Sequence, residues 1–373
     1  VKAIGIVLAG GSGKRMQELS NKRAVAAMPV AGSYRCIDFA LSNMSNSHIQ
    51  KVAVLTQYNS KSLNEHLSSS KWWDFGRKQG GLFVFTPTMT VDNNFWYRGT
   101  ADAIYQNIDF LKKSHEPYVV ISGGDCVCKI DYNKVLQYHI DKRADITVVT
   151  AKLPEGDDPC RYGTVKFDEE GRITDFEEKP IMTDSDIVST GIYVIRRRQL
   201  IELIEKSAQD GRYDFVSDVL IRYKNLKRIY AYQLDSYWKN IATVESYYNT
   251  NMDFLKKDVR DYFYREYPEV YSKVDDLPPA KYNPGAEVKN SLISSGSIIN
   301  SKVENSVLFK KTYVGSNCVI KNSIILNDVY IGDNVYIENC IVESRATIRA
   351  NTTYIGAPDE IKIVVEKNDR YMM

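Results

Sequence analysis

Charge of one sign is missing from this chain. Its 49 Lys and Arg stand against 47 Asp and Glu, a net of +2 over 373 residues. So even a balance gives no electrostatic argument for a nucleic-acid partner. Long hydrophobic runs are also missing. No stretch approaches the ~20 apolar residues needed to span a bilayer. Six cysteines (Cys36, Cys126, Cys128, Cys160, Cys318 and Cys340) form no CxxC pair. Neither a zinc frame nor a disulfide scaffold is indicated, and a reduced, cytoplasmic setting is expected. Histidine is scarce, and none of His48, His66, His115 and His139 lies beyond residue 139. No GxxxxGK[ST] P-loop occurs.

What is present is ordinary in bulk and informative in order. A composition 43% hydrophobic and 26% charged suits a globular protein. The length exceeds one typical domain, so two are expected. The apolar opening, Ile4–Leu8, runs straight into a glycine loop and reads as a buried first strand rather than a signal-peptide core. Further strands are expected at Val52–Thr56, Tyr118–Ser122, Asp145–Ala151, Tyr162–Asp168, Ile173–Glu177 and Ile187–Ile195. Helices are expected at Ala101–Lys113, Tyr132–Lys142 and Arg198–Lys206. Strands alternating with helices predict an α/β domain, Rossmann-like, with a mostly parallel sheet. Its ligands would sit beyond the carboxyl ends of the strands, where Gly10-Gly11-Ser12-Gly13 and Gly123-Gly124-Asp125 fall.

Texture changes near residue 286. Val314, Ile320, Ile325, Ile331 and Ile337 recur at roughly six-residue intervals, with Gly, Asn, Ser and Asp between them. That period predicts a parallel β-helix whose corners take Asn, Asp and Gly. The expected organisation is a first domain over 1–255, a charged, tyrosine-rich linker over 256–284, and a hexapeptide-repeat domain over 285–373. β-Helices of this type also occur in acyltransferases, which use a histidine base. No histidine lies in the repeats, which argues against that chemistry.

The loop Leu8-Ala9-Gly10-Gly11-Ser12-Gly13-Lys14-Arg15 lets backbone N–H groups approach a phosphate, and Arg15 adds a fork-shaped permanent charge. A glycine loop alone is weak evidence, but its company is specific. Tyr34-Arg35-Cys36-Ile37-Asp38-Phe39-Ala40-Leu41-Ser42-Asn43 and Leu55-Thr56-Gln57-Tyr58 follow it. After them come Trp96-Tyr97-Arg98-Gly99-Thr100-Ala101-Asp102-Ala103, Gly124-Asp125, Phe176-Glu177-Glu178-Lys179-Pro180 and Ser189-Thr190-Gly191-Ile192-Tyr193. In these motifs, over nearly its whole length, the chain resembles the glucose-1-phosphate adenylyltransferases, or ADP-glucose pyrophosphorylases.

The resemblance implies a nucleotidyltransferase domain followed by a left-handed parallel β-helix. It implies a reaction of ATP with glucose 1-phosphate to give ADP-glucose and pyrophosphate, assisted by Mg²⁺. It places a nucleotide at Leu8, Ala9, Gly10, Gly11, Gly13, Arg15, Gln57, Gly99 and Thr100. It places the sugar phosphate at Tyr97, Gly163, Glu178, Lys179, Ser189, Asp214, Phe215 and Trp238. Arg15 and Asp125 are the catalytic positions, and Asp125 is the metal ligand. Family effectors bind near basic residues between the domains, for which Lys22, Arg35, Lys51 and Arg77 are candidates.

Two departures cut against that activity. Where the family reads Arg-Ala-Lys-Pro-Ala-Val-Pro, this chain has Arg23-Ala24-Val25-Ala26-Ala27-Met28-Pro29. Where the family reads Trp-Arg-Asp-Val-Gly-Thr, it has Trp238-Lys239-Asn240-Ile241-Ala242-Thr243. Val25 replaces the catalytic lysine and Asn240 the second metal aspartate. To substitute for that lysine, Lys22 would have to cross about 10 Å of extended backbone or shift register, and Lys14 occupies a variable loop position. The pattern resembles the degenerate, GlgD-like paralogue that some bacteria pair with a catalytic subunit. That resemblance implies a cytoplasmic, regulatory or weakly catalytic chain in a homo- or hetero-oligomer, a tetramer by family. ATP, glucose 1-phosphate or ADP-glucose would be its small-molecule ligands. An independently active adenylyltransferase and a pure ligand sensor are the alternatives.

Overall fold

The computed structural model describes residues 1–366 other than Arg77 and Gln79. It divides into two compact units that are not contiguous in sequence. One contains residues 1–11, 39–60 and 67–238, and the other 12–38, 61–66 and the chain from 239 onward.

The first unit is built on a nine-stranded sheet. Its strands are β1 (Ala3–Ala9), β2 (Lys51–Thr56), β3 (Gly81–Phe85), β4 (Tyr118–Gly123) and β5 (Ile146–Lys152). They continue with β6 (Gly163–Phe167), β7 (Ile173–Glu178), β8 (Ile187–Arg196) and β9 (Ile229–Leu234). The order β7-β6-β8-β4-β1-β2-β3 forms one path, and β8 also pairs with β5, which pairs with β9. Strands β3, β2, β1 and β4 run parallel and form the core of the sheet. β1 and β4 are near-continuous apolar runs because both faces of a parallel sheet are covered. Antiparallel β8 then joins β4 to the β6–β7 hairpin, so the sheet as a whole is mixed. Helix α1 (Thr100–Gln106) ends early. Asn107 leaves helical geometry at φ −111°, and its amide donates to the Ala103 carbonyl and the Tyr97 hydroxyl. The expected single helix over 101–113 is therefore two short ones, because a short polar amide competes for backbone partners. Helices α2 (Tyr132–Asp141) and α3 (Arg197–Gln209) match expectation closely, and α3 buries Leu200, Leu203 and Ile204.

In the second unit, residues 281–364 wind into three parallel five-stranded sheets, a left-handed parallel β-helix. The hexad residues Val314, Ile320, Ile325, Ile331 and Ile337 are all buried inside it. Corners demand left-handed backbone. Asn290, Asn305, Asn322 and Asn339 supply one, and Asn317, Asn334 and Asn351 another, all at φ between 43° and 63°. Their amides stack in ladders, Asn305 to Asn322 at 2.7 Å and Asn317 to Asn334 at 2.7 Å. Outside the coil, strand register sets Lys289 beside Glu304, Glu304 beside Lys321, and Lys321 beside Glu338.

Helix α4 (Val244–Asp253) belongs to this unit and begins with a capping box between Thr243 and Ser246. It braces a tight hairpin over residues 29–35. Tyr247 donates to the Pro29 carbonyl, the Ala31 N–H donates to Asn251, and Ser294 of the β-helix donates to the Gly32 carbonyl. Ala31 and Gly32, in the three-residue loop between the paired Val30 and Tyr34, both have positive φ.

Candidate active site and a basic cavity

In the first unit, the expected ligand positions gather at the carboxyl ends of parallel strands. The Leu8 carbonyl accepts from the Gly124 N–H at 3.0 Å, tying the glycine loop to the Gly123-Gly124-Asp125 turn. Gln57 follows β2, is nearly buried, and accepts from the Tyr97 N–H at 2.8 Å. Gly99 is forced by packing, since a Cβ there would strike the Tyr213 carbonyl. That carbonyl accepts from the N–H groups of Ala101 and Asp102. Thr100 accepts from the Phe215 N–H at 2.9 Å. Burial raises the Tyr97 hydroxyl above its ordinary pKa, partly countered by the hydrogen bond from Asn107.

The sugar-phosphate positions form a connected group. Glu178 lies opposite Gly163 in the β7–β6 ladder. Burial pushes its carboxyl up, while Lys179 pulls it down. Lys179 sits at φ 44°, unusual for a lysine, with its N–H on the Tyr162 carbonyl at 3.1 Å. Such backbone is costly and concentrates at functional sites. The Tyr162 ring meets Trp238 edge-on at 5.6 Å. The indole N–H of Trp238 is buried with no partner among the described residues. Ser189 and Tyr193 hydroxyls lie 3.3 Å apart, and the Tyr193 ring packs on Phe215 at 5.2 Å. Asp214 accepts from the Ser217 N–H. Tyr162 and Tyr213 were not anticipated beside these positions, since nothing in the sequence separates them from the chain's other tyrosines; Tyr193 stood in a quoted motif but was given no role.

Asp125 is half-buried, with the Cys126 thiol donating toward it at 3.7 Å. Cys128 is fully buried, and that burial pushes its thiol up to about 12. No cluster of three or more His, Cys, Asp or Glu able to hold a metal occurs among the described residues.

The other expected positions, Gly13 and Arg15, and the departures Val25 and Asn240 fall in the second unit. Gly13 adopts φ 64° and starts the turn Lys14–Ser20, which buries Met16 and Leu19 and leaves Arg15 exposed. Val25 is buried in a short 3-10 turn, and a Cβ on Gly13 would lie 2.9 Å from its Cγ2. Val25 thus packs as a core residue against the glycine loop. The Asn240 side-chain oxygen accepts from the Ala242 N–H at 2.9 Å. The Lys22 amine donates to the Ser344 carbonyl of the β-helix at 3.4 Å.

The same unit contains a cavity of about 580 Å³. Lys22, Arg23, Arg35, Lys61, Lys273, Lys310, Lys311 and Arg345 line it, against only Glu65, Asp275 and Asp328 as carboxylates. Burial first, and the neighbouring Arg23 charge second, push Arg35 below its ordinary pKa, while Asp38, Asp275 and Glu65 pull it back up. Lys311, Asp328 and Arg345 occupy the third corner of the β-helix at φ 58°, 59° and 63°. At the other two corners that conformation falls to asparagine, which tolerates it. Here charged side chains accept the strain and face a cavity. Lys22 and Arg35 among the expected basic residues belong to it. Lys51 instead donates to Ser114 in the first unit, and Arg77 lies outside the described residues.

The nucleotidyl transferase family profile matches residues 4–257, and a profile for the GlmU-like C-terminal hexapeptide matches 278–362. Fold and site together define a nucleotidyl transferase with a hexapeptide β-helix. Glucose-1-phosphate adenylyltransferase of Clostridium beijerinckii is 39% identical over 98% of this chain and 95% of its own length. Those of Clostridium novyi and Thermosipho melanesiensis are each 39% identical over 85% of this chain, covering 84% and 77% of their lengths. The chain belongs to the glucose-1-phosphate adenylyltransferase family. No helix among the described residues is long and apolar enough to cross a membrane.

Proposed function

We propose that this chain is the regulatory, at most weakly catalytic, subunit of an ADP-glucose pyrophosphorylase that serves glycogen synthesis. Its partner would be a catalytic subunit of the same family, joined in a hetero-oligomer. The observation that carries the reading is Val25. In-line attack on the α-phosphorus of ATP is driven by positioning and charge neutralisation. A valine packed against Gly13 gives neither charge nor hydrogen bond. Asn240 adds a second loss, since its oxygen is neutral and already accepts from Ala242.

For Mg²⁺ the donor set is thin. Asp125 would give one hard carboxylate oxygen, and phosphate oxygens of a bound nucleotide would have to supply others. The ion's chemistry would be charge neutralisation on those phosphates. Arg15 and Lys179 remain to bind phosphate oxygens, and the Trp238 indole remains to orient a sugar. These positions support retained binding of ATP, glucose 1-phosphate or ADP-glucose. The basic cavity supports a second role, uptake of a phosphate-bearing anion as effector.

The test is ADP-glucose formation by the purified chain alone, by its catalytic partner alone, and by both together. Removal of one preorganised group costs about 10²–10³ in rate. The chain alone is therefore expected at least about 100-fold below the partner, and the mixture above the partner alone. Val25→Lys with Asn240→Asp should recover activity in the isolated chain. A rate for the unmodified chain equal to that of its partner would establish the alternative, an independently active adenylyltransferase.

A further inference from the structure

Arg23 forms part of the cavity wall and is almost fully buried. Its Nη2 pairs with the carboxylate of Glu343 and donates to the Ser344 hydroxyl at 3.0 Å, while Nη1 donates to the Met28 sulfur at 3.8 Å. Glu343 follows the β-helix strand Cys340–Val342 and is 1% exposed. One of its oxygens accepts from Arg23 and from the Ser344 N–H at 2.6 Å. The other, Oε2, is buried with no partner among the described residues.

This is a poor arrangement if stability is its purpose. Two charges lose their hydration, and one carboxylate oxygen is left uncompensated. The arginine fork, suited to two parallel bonds to an oxyanion, meets the carboxylate through one nitrogen only. The pair lies where a cavity with eight cations would bring a competing anion within reach.

We propose that Glu343 is a built-in stand-in for the cavity's ligand, an internal carboxylate that occupies Arg23 until a phosphate-type oxyanion displaces it. The inference rests on the reading of the cavity as an anion site and adds its mode of regulation. In the closed state Glu343 holds Arg23. In the liganded state the oxyanion takes Arg23, and Glu343 is released. Arg23 stands two residues before Val25, and Glu343 two before the strained corner at Arg345, so the exchange acts on both backbone segments at once. An equilibrium that a ligand must pull against lowers its apparent affinity. The shared chemistry is a phosphate group, free or on a sugar.

The test is calorimetric titration of the full chain with inorganic phosphate and, separately, with glucose 6-phosphate; the ligand that binds tighter marks the source. Glu343→Gln should tighten binding about tenfold or more, within the usual range of coupling between two states. Asp328→Asn is the charge control. It removes a cavity carboxylate at a corner where asparagine is at home, and should change affinity less than about threefold if long-range charge is weak. Equal gains in the two variants, or no gain in Glu343→Gln, would overturn the proposal while leaving the anion site standing. Absence of binding to every form would sink the anion reading and the displacement with it. If Glu343→Gln does not fold, a structure of the unmodified chain with phosphate bound decides. Release of Glu343 from Arg23 is expected, and an intact pair beside bound phosphate refutes it.

Discussion

Val25 and Asn240 are the two residues on which the proposed loss of catalysis turns. Neither disturbs its surroundings: one packs against a glycine, and the other completes a local turn with Ala242. Both were legible in the sequence because a motif fixes what should stand there. The burial of Val25 and the engagement of the Asn240 oxygen were not, since a string of residues carries no distances. His139 is a residue-scale case of another kind. It is buried, with Nδ1 on the Thr147 hydroxyl at 2.7 Å and Nε2 without a partner among the described residues. Burial first, and the Arg196 charge second, lower its pKa to about 4. The folded chain therefore binds fewer protons than the unfolded one between those pKa values. This contribution to stability is complete above about pH 6.5 and is withdrawn as pH falls toward 4, by up to about 3 kcal/mol. Urea midpoints measured from pH 7.5 to 4.5 should fall more steeply for the unmodified chain than for His139→Gln.

Elements with strong patterns were easiest to anticipate. The apolar runs of β1, β2 and β4 and the amphipathic helix α3 follow directly from side-chain periodicity. Strand β9 and helix α4 did not stand out: IYAYQL alternates weakly, and VESYYNTNMD mixes tyrosine with asparagine. The β-helix was readable from its hexads, yet its functional corner was not. Lys311, Asp328 and Arg345 repeat at the same seventeen-residue step as the asparagine ladder, but only the backbone shows that they share its left-handed conformation. Lys311→Asn is expected to relieve about 1 kcal/mol of strain. It should raise the thermal midpoint and, by removing a cavity cation, weaken phosphate binding. Differential scanning calorimetry and titration of the same variant check both signs.

At the scale of the whole chain, the family was written in ordered motifs and the second site was not. The cavity draws on residues near 22–35, 61–66, 272–277, 309–311, 327–328 and 344–345. Scattered lysines and arginines read singly as solvated charges, and only folding collects them. The division of labour predicted for the intact assembly is a chain whose anion cavity persists while its reaction centre is depleted. Phosphate-type effectors should therefore change the activity of the mixed assembly more than that of the catalytic partner alone. Equal responses, measured as fold-activation at saturating effector, would contradict this.

The alternating row Lys289, Glu304, Lys321 and Glu338 bears on how such a chain finds its register. A β-helix is repetitive, and a strand displaced by one full coil would still bury valine or isoleucine where valine or isoleucine belongs. The hydrophobic interior is thus nearly blind to a whole-coil error. The outer row is not blind. Skipping one coil sets Lys289 against Lys321 or Glu304 against Glu338, and like charges directly opposite are penalised. The row works as a parity check, with a sign that flips at every winding and exposes any miscount that the core would accept.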